Sequence, residues 1–356
     1  MPANVGEMFY YGEVPWHGKG TKLEELANME EAIKNGGLDW EVQTIPLVTA
    51  EFPPSPVSGR VAIVRKDKPP GHKGRALGVA YDGFKPLQNR EGIRIFDAIF
   101  GKGERVYCTG GYLGAGEVVW VLAQLPKSIE IVKGDKVKPY ALFTNSHDGS
   151  IAIDVRLTTI RVVCQNTLSM ALKEQDKKSI FKKAHQGNYG DLEKDMEEFF
   201  SDMLKSVDRI ETNFKAMLER RFDDDEIREY IENLLPMPPK KDQKKLSPKA
   251  LNRYLGDVAR IQSARLQIGR LASKGLGTEI IGVTGSLWGV FNASLEYVDH
   301  HKKKSVDDLS WSLFGSSTLL KRRAFDLAME YVKPNPIEKI HQKGLFETSG
   351  MSGTSY

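Results

Sequence analysis

Cysteine is nearly absent: 356 residues carry only Cys108 and Cys164. Two thiols cannot build a disulfide framework or a cysteine-rich zinc site, and such sparse use is what a reducing compartment permits. Long apolar runs are missing too. The most apolar stretch, VVWVLAQL from Val118, is far shorter than the about 20 residues a membrane helix needs. The first twenty residues, MPANVGEMFYYGEVPWHGKG, have neither the basic start nor the apolar run of a secretory signal. A cytoplasmic protein is expected. Charge of one sign is not in large excess either, and a formal net charge of +4 does not by itself mark a nucleic-acid binder.

What is present is an ordinary globular composition, 40% hydrophobic and 28% charged, in a chain long enough for two domains at about 150 residues each. From Val42 to Leu157 short β-prone runs alternate with Gly, Pro, Asn and Asp. ERVYCTGGYLGAGEVVWVLAQLP reads as a hairpin around Gly114, Ala115 and Gly116, and KPYALFTNSHDGSIAIDVRL as a second one turning at Ser146 to Gly149. Ahead of both, Ile93, Phe96, Ile99 and Phe100 have the spacing of a short amphipathic helix that Gly101 can end. After Lys173 the period changes. Leu192, Met196, Phe199, Met203, Val207, Ile210, Phe214 and Met217 step by three and four along one face of a long helix. Further helices are expected over Asp224–Leu235, Ser247–Ser273, Gly282–His301, Val306–Phe314 and Ser316–Val332. The fold class is therefore α+β: an antiparallel β-hairpin sheet with helices over 1–175, a helical domain over 176–333, and a disordered tail over 334–356.

Several motifs suggest chemistry and do not carry it. VPWHGKGT imitates the end of a phosphate loop, but Gly20 replaces the magnesium-binding Ser/Thr and Glu13 stands where the first glycine belongs. TGGYLGAG and KGLGTEIIG lack dinucleotide spacing. Cys164 would need a histidine base, for which His147 is the candidate on paper; a packed thiol between Val162-Val163 and Leu168-Leu172 is the plainer reading, with Asn166 or Thr167 capping a helix that begins there. Asp299, His300 and His301 are adjacent, and neighbours on a helix point about 100° apart, which is poor geometry for one ion. Asp223, Asp224, Asp225 and Glu226 read as an N-cap and first turn. No cofactor, metal or catalytic residue is called for.

Nucleic acid has the stronger physical case. GRVAIVRKDKPPGHKGR holds Arg60, Arg65, Lys66, Lys68, Lys73 and Arg75 against one acid, Asp67, a composition suited to tracking a phosphate backbone. Arg156 and Arg161 flank the strand-to-helix transition expected after the second hairpin. The helix from Ser247 carries Arg253, Arg260, Arg265, Arg270 and Lys274 with Asp257 opposing. Tyr107 and Tyr112 lie on the first hairpin, where an exposed ring could stack on a base; Trp120, among valines, reads as core.

Six stretches together, VPWHGKGT, GLDWEVQTIPL, FKPLQN, SHDGSIAIDVRLTTIRVVCQNTL, GSLWGVFNASLEYVDHH and FGSSTLLKRRAFDLA, resemble the phage/plasmid-like proteins that carry a domain of unknown function, over about residues 8 to 332. That resemblance implies a mobile-element protein in a bacterial cytoplasm and brings no catalytic residue with it. More distantly, the order hairpin, hairpin, helix is similar to the single-strand annealing proteins of the Red-beta and Erf superfamily, which hold single strands in a basic groove without ATP and assemble as rings or filaments. The expectation is a homo-oligomeric protein that binds single-stranded DNA and promotes annealing, with no membrane association. The alternative is a non-catalytic interaction protein that modulates a host defence or replication factor.

Overall fold

The computed structural model describes residues 5–12, 19–163, 166–169, 180–186, 189–240, 246–302 and 316–332. Cys164, the Val306–Phe314 helix, the VPWHG segment of the loop motif and the tail lie outside the described residues. The chain divides into two compact units, one of Met1–Glu130, Gly134–Ile210 and Lys303–Arg322, the other of Ile131–Lys133, Glu211–Lys302 and Arg323–Tyr356.

The class is α+β, with strands in the first half and helices in the second. In chain order the first half contains β1 (Val5–Tyr11), β2 (Thr21–Leu23), α1 (Met29–Asn35), β3 (Val42–Val48), β4 (Pro56–Arg65), β5 (Ala76–Tyr81) and α2 (Asn89–Phe96), which runs on into a π-helical turn at Asp97–Gly101. The helix winds through Gly101 and stops because Lys102 turns left-handed, at φ 50°. Then come β6 (Tyr107–Leu113), β7 (Val118–Gln124), β8 (Ile129–Val132), β9 (Asp135–Ser146), β10 (Ile153–Arg161), β11 (Asn166–Ser169) and β12 (Ile180–Lys183). Strands β3, β4 and β5 form a small antiparallel sheet; the others join a large sheet with the path β11-β10-β9-β7-β6-β1-β2. Both expected hairpins are present, as β6–β7 and β9–β10.

Register explains how the large sheet is filled. Phe9, Gly110, Val121, Phe143, Val155 and Phe181 are successive cross-strand partners. Gly110 leaves room in this row, since a Cβ there would meet Val121 at 2.9 Å and the Phe9 ring at 3.0 Å. Phe143 in turn packs on Phe96 of α2, 5.6 Å between ring centroids. On the opposite face Met8, Tyr10, Trp120, Leu122, Tyr140 and Leu142 form one buried cluster, so Trp120 is core. Both faces thus carry buried side chains, and β10 is buried along almost its whole length.

Charges on such a strand must be paired internally. Arg156 Nε donates to Asp154 Oδ1 at 2.6 Å, and Arg161 grips Asp135 through Nε at 2.8 Å and Nη2 at 2.6 Å. The helix expected at Asn166 or Thr167 is instead strand β11, because Thr158, Thr159, Ile160 and Arg161 pair with Ser169, Leu168, Thr167 and Asn166 and give that backbone its partners in the sheet.

The second half contains α3 (Leu192–Glu219), α4 (Asp224–Leu234), α5 (Pro248–Lys274), α6 (Leu287–Glu296) and α7 (Ser316–Val332). All eight apolar positions expected on the long helix α3 are buried. Asp223 caps α4 in a reciprocal box with Glu226, as the acidic run suggested, and Ser247 caps α5 ahead of Pro248. The helix expected from Gly282 begins only at Leu287. Gly282 and Gly285 sit at φ 89° and 68°, outside helical space, and the Ser286 hydroxyl caps the helix by accepting from the Gly289 N–H.

The Arg161–Asp135 pair gives the first prediction. Asp135→Asn removes the opposing charge from a buried guanidinium, so urea denaturation is expected to show a loss of about 3–5 kcal/mol, whereas Lys66→Ala, at an exposed pair, should cost less than about 1 kcal/mol.

Candidate nucleic-acid interface

The cations singled out from the sequence fall into three groups. Arg60, Arg65, Lys66, Lys73 and Arg75 belong to the β4–β5 hairpin; Arg156 and Arg161 lie inside the large sheet; Arg253 and Arg260 are exposed on α5, in the other compact unit. Within the first group the fates differ sharply. Arg65 is 5% exposed. Its guanidinium donates to Asp67 through Nε at 2.9 Å and Nη2 at 2.8 Å, and to the Ala115 carbonyl through Nη1 at 2.7 Å. It lies 4.0 Å over the Trp40 ring and 5.5 Å from that of Tyr112.

Arg65, Arg156 and Arg161 are therefore corrected: all three are buried against carboxylates and present no charge to a phosphate. The expected stacking platforms are corrected too. Tyr107 is fully buried, with its hydroxyl donating to Asp97 Oδ1 at 2.9 Å. Tyr112 is 9% exposed, edge-on to Trp40, and donates to Glu7 at 3.1 Å.

What remains exposed is the hairpin itself. Lys66 meets Glu41 at 2.6 Å, with both side chains about half in solvent or more. Lys68 reaches Asp67 at 3.3 Å, a carboxylate already shared with Arg65. Arg75 donates to the Lys68 carbonyl and so shapes the loop, while Lys73 is exposed at its tip beside Gly71 and Gly74. On α5, Arg260 bonds Asp257 one turn away and Arg253 is exposed.

Arg60, the Tyr81 partner across β4 and β5, holds its guanidinium 3.8 Å over the Tyr81 ring and opens on a cavity. That cavity, about 300 Å³, is lined by Val79, Tyr81, Phe84, Asp148, Ile151 and His185 among others. Phe84 stacks on His185, 4.8 Å between centroids and 29° between planes. His185 is held by the Ile151 carbonyl at 3.2 Å, and burial keeps its pKa below the usual imidazole value. The turn of the β9–β10 hairpin reaches this cavity because Gly78 on β5 has no Cβ; one there would come within 2.7 Å of Asp148 Cα. Tyr81, Phe84 and His185 were missed in the sequence because the turn carrying Tyr81 and Phe84 meets a segment about a hundred residues further along the chain.

Two other candidates resolve into structure. His147 is buried, with Nε2 2.7 Å from Asn89 Oδ1. Asn89 donates its amide to the Leu38 and Trp40 carbonyls, so its oxygen accepts and the imidazole carries its proton on Nε2. Among the described residues His147 Nδ1 has no hydrogen-bond partner. Its geometry toward Cys164 lies outside the described residues. Burial pushes the Cys108 thiol up to about 12, so it holds no thiolate at neutral pH. His301 lies 3.7 Å from Glu296, and among the described residues no group of three or more His, Cys, Asp or Glu side chains is arranged to hold a metal. No described helix is long and apolar enough to cross a membrane.

Residues 76–325 match the family described as a domain of unknown function, DUF932. The chain belongs to the DUF932 family. The match begins at β5 and ends within α7, so this DUF932 region includes the Tyr81 to Phe84 wall of the cavity and the β9–β10 turn, while Arg60 and Arg65 precede it. No curated protein and no solved structure matches the chain.

His147 sets a pH dependence. Burial, followed by the charges of His185 and Arg65, lowers its pKa from 6.5 to about 3. The unfolded chain thus takes up a proton that the folded chain refuses, and stability falls as the pH drops from about 6.5 toward 3, by at most about 1.4 kcal/mol per unit. Urea midpoints measured at pH 7 and pH 5 should separate less in His147→Gln than in the parent.

Proposed function

We propose that this DUF932 chain is a phage- or plasmid-encoded protein that binds single-stranded DNA and promotes annealing of complementary strands, without ATP and without breaking a bond. The observation that carries the reading is the exposed β4–β5 hairpin, on which Arg60, Lys66, Lys68 and Lys73 stand against Glu41 and Asp67. Exposed pairs of this kind contribute little to stability, so phosphate can displace Glu41 from Lys66 at small cost. Mobile-element origin and the annealing step both rest on the resemblance of the sequence motifs; the two hairpins that go with it are present, with β11 and β12 between the second of them and α3.

A second reading, a protein that acts by binding copies of itself or a host factor, is favoured by α5. Its buried positions begin at Ala264, while Leu251, Tyr254, Leu255, Val258 and Ile261 form an incompletely covered stripe along its first half, with Leu255 45% exposed.

Fluorescence anisotropy with a labelled oligothymidine should show affinity that falls steeply with salt. Each hairpin cation that neutralises a phosphate adds about 0.7 to the slope of log K against log salt. Lys66→Ala/Lys68→Ala/Lys73→Ala should therefore flatten the slope by about 2, with folding unchanged by circular dichroism. Absence of binding at micromolar protein would remove the DNA reading and leave the protein-partner one.

A further inference from the structure

We infer that the cavity between the β4–β5 hairpin and the β9–β10 turn receives a single unpaired nucleobase. The inference rests on the single-stranded DNA reading and gives it a base site beside its phosphate contacts.

Three features select this ligand. The cavity is small, about 300 Å³, at the lower end of the range for small-molecule sites. Its walls offer π-faces and apolar edges: Tyr81 is 64% exposed, Phe84 backs onto His185, and Val79 and Ile151 complete the lining. An unpaired base has two such faces and gains by leaving water for an aromatic surface, whatever its identity.

Charge completes the selection. Among the described residues Arg60 makes no ion pair with a carboxylate; its guanidinium lies against the face of Tyr81. A guanidinium held this way keeps its N–H groups for a phosphate or a base carbonyl, which distinguishes it from Arg65, whose donors are already used. Asp148 supplies an acceptor for an exocyclic amine on the opposite side of the chemistry, and His185, with its pKa lowered by burial, adds no second positive charge at neutral pH. A base stacked in a duplex cannot enter such a pocket without being flipped out, so the site favours single strands.

The test compares Tyr81→Ala and Phe84→Ala with the parent and with the ring-preserving Tyr81→Phe. Anisotropy is read with oligothymidine and with an abasic oligonucleotide of equal length. Loss of one stacking contact should weaken oligothymidine binding about tenfold in either alanine variant. The salt slope should stay at the parent value, because neither variant removes a cation. Tyr81→Phe should retain affinity, and the abasic strand should bind parent and variants alike. Normal oligothymidine affinity in both alanine variants would overturn the base site while leaving DNA binding in place.

If the parent binds no oligonucleotide, saturation-transfer NMR with thymidine monophosphate separates the two failures. Transfer to the base protons that disappears in Tyr81→Ala would retain a base pocket for a free nucleotide and discard the DNA reading. No transfer would overturn both.

Discussion

A buried guanidinium is the constraint around which the first compact unit is arranged. Arg65 ends β4, and every direction in which it can donate is fixed: Asp67 two residues on, the Ala115 carbonyl in the β6–β7 turn, and the faces of Trp40 and Tyr112 on either side. Removing a cation from water is expensive unless its hydrogen bonds are satisfied, so these partners must stand together or not at all. The turn is built for this. Gly116 sits at φ 122°, and a Cβ on it would strike the Trp40 ring at 2.7 Å. Trp40 is held in place through its indole N–H, which donates to Gly37 at 2.8 Å. The small sheet and the large sheet are thereby joined through one side chain.

Local periodicity was easy to read, and the destination of charge was not. The α3 stripe, both hairpins and the caps at Asp223 and Ser247 depend on neighbours within a few residues, and each was legible. Arg156 and Arg161 looked like surface cations because a sequence displays their charge without their surroundings. A clue was present in IDVRLTTIR: Asp154 and Arg156 are two apart, hence on one side of a strand, and a β-strand rich in Ile, Val, Leu and Thr on both sides is one that neighbours cover. An acid at that spacing signals an internal pair. Asp135, 26 residues from Arg161, gave no such local sign.

Two departures in the backbone have equally local causes. Asn166 and Thr167 are good helix caps, yet the open side of β10 offers a ladder of hydrogen bonds, and β11 takes it. Gly282 and Gly285 delay α6 because their left-handed backbone cannot continue a right-handed helix. Propensity sets what a segment can do, and the nearest unsatisfied donors and acceptors decide which option it takes.

The cavity follows from these constraints and could not be read along the chain. Gly78 admits the β9–β10 turn against β5, which carries Asp148, Gly149 and Ile151 to the edge of the small sheet. The segment after β12 returns His185 beneath Phe84, where the Lys85 N–H donates to the His185 carbonyl at 3.0 Å and holds the two rings in stack. Arg60 and Arg65 lie five residues apart on β4, yet the two have opposite electrostatic situations. Arg65 is enclosed by carboxylate, carbonyl and two aromatic rings, whereas Arg60 rests on a single exposed ring at a cavity mouth. A strand that ends in a sequestered cation is positioned rigidly by it, and that rigidity presents the second cation at a defined place. In this arrangement the buried arginine acts on any ligand only indirectly, by fixing the strand from which the exposed one projects.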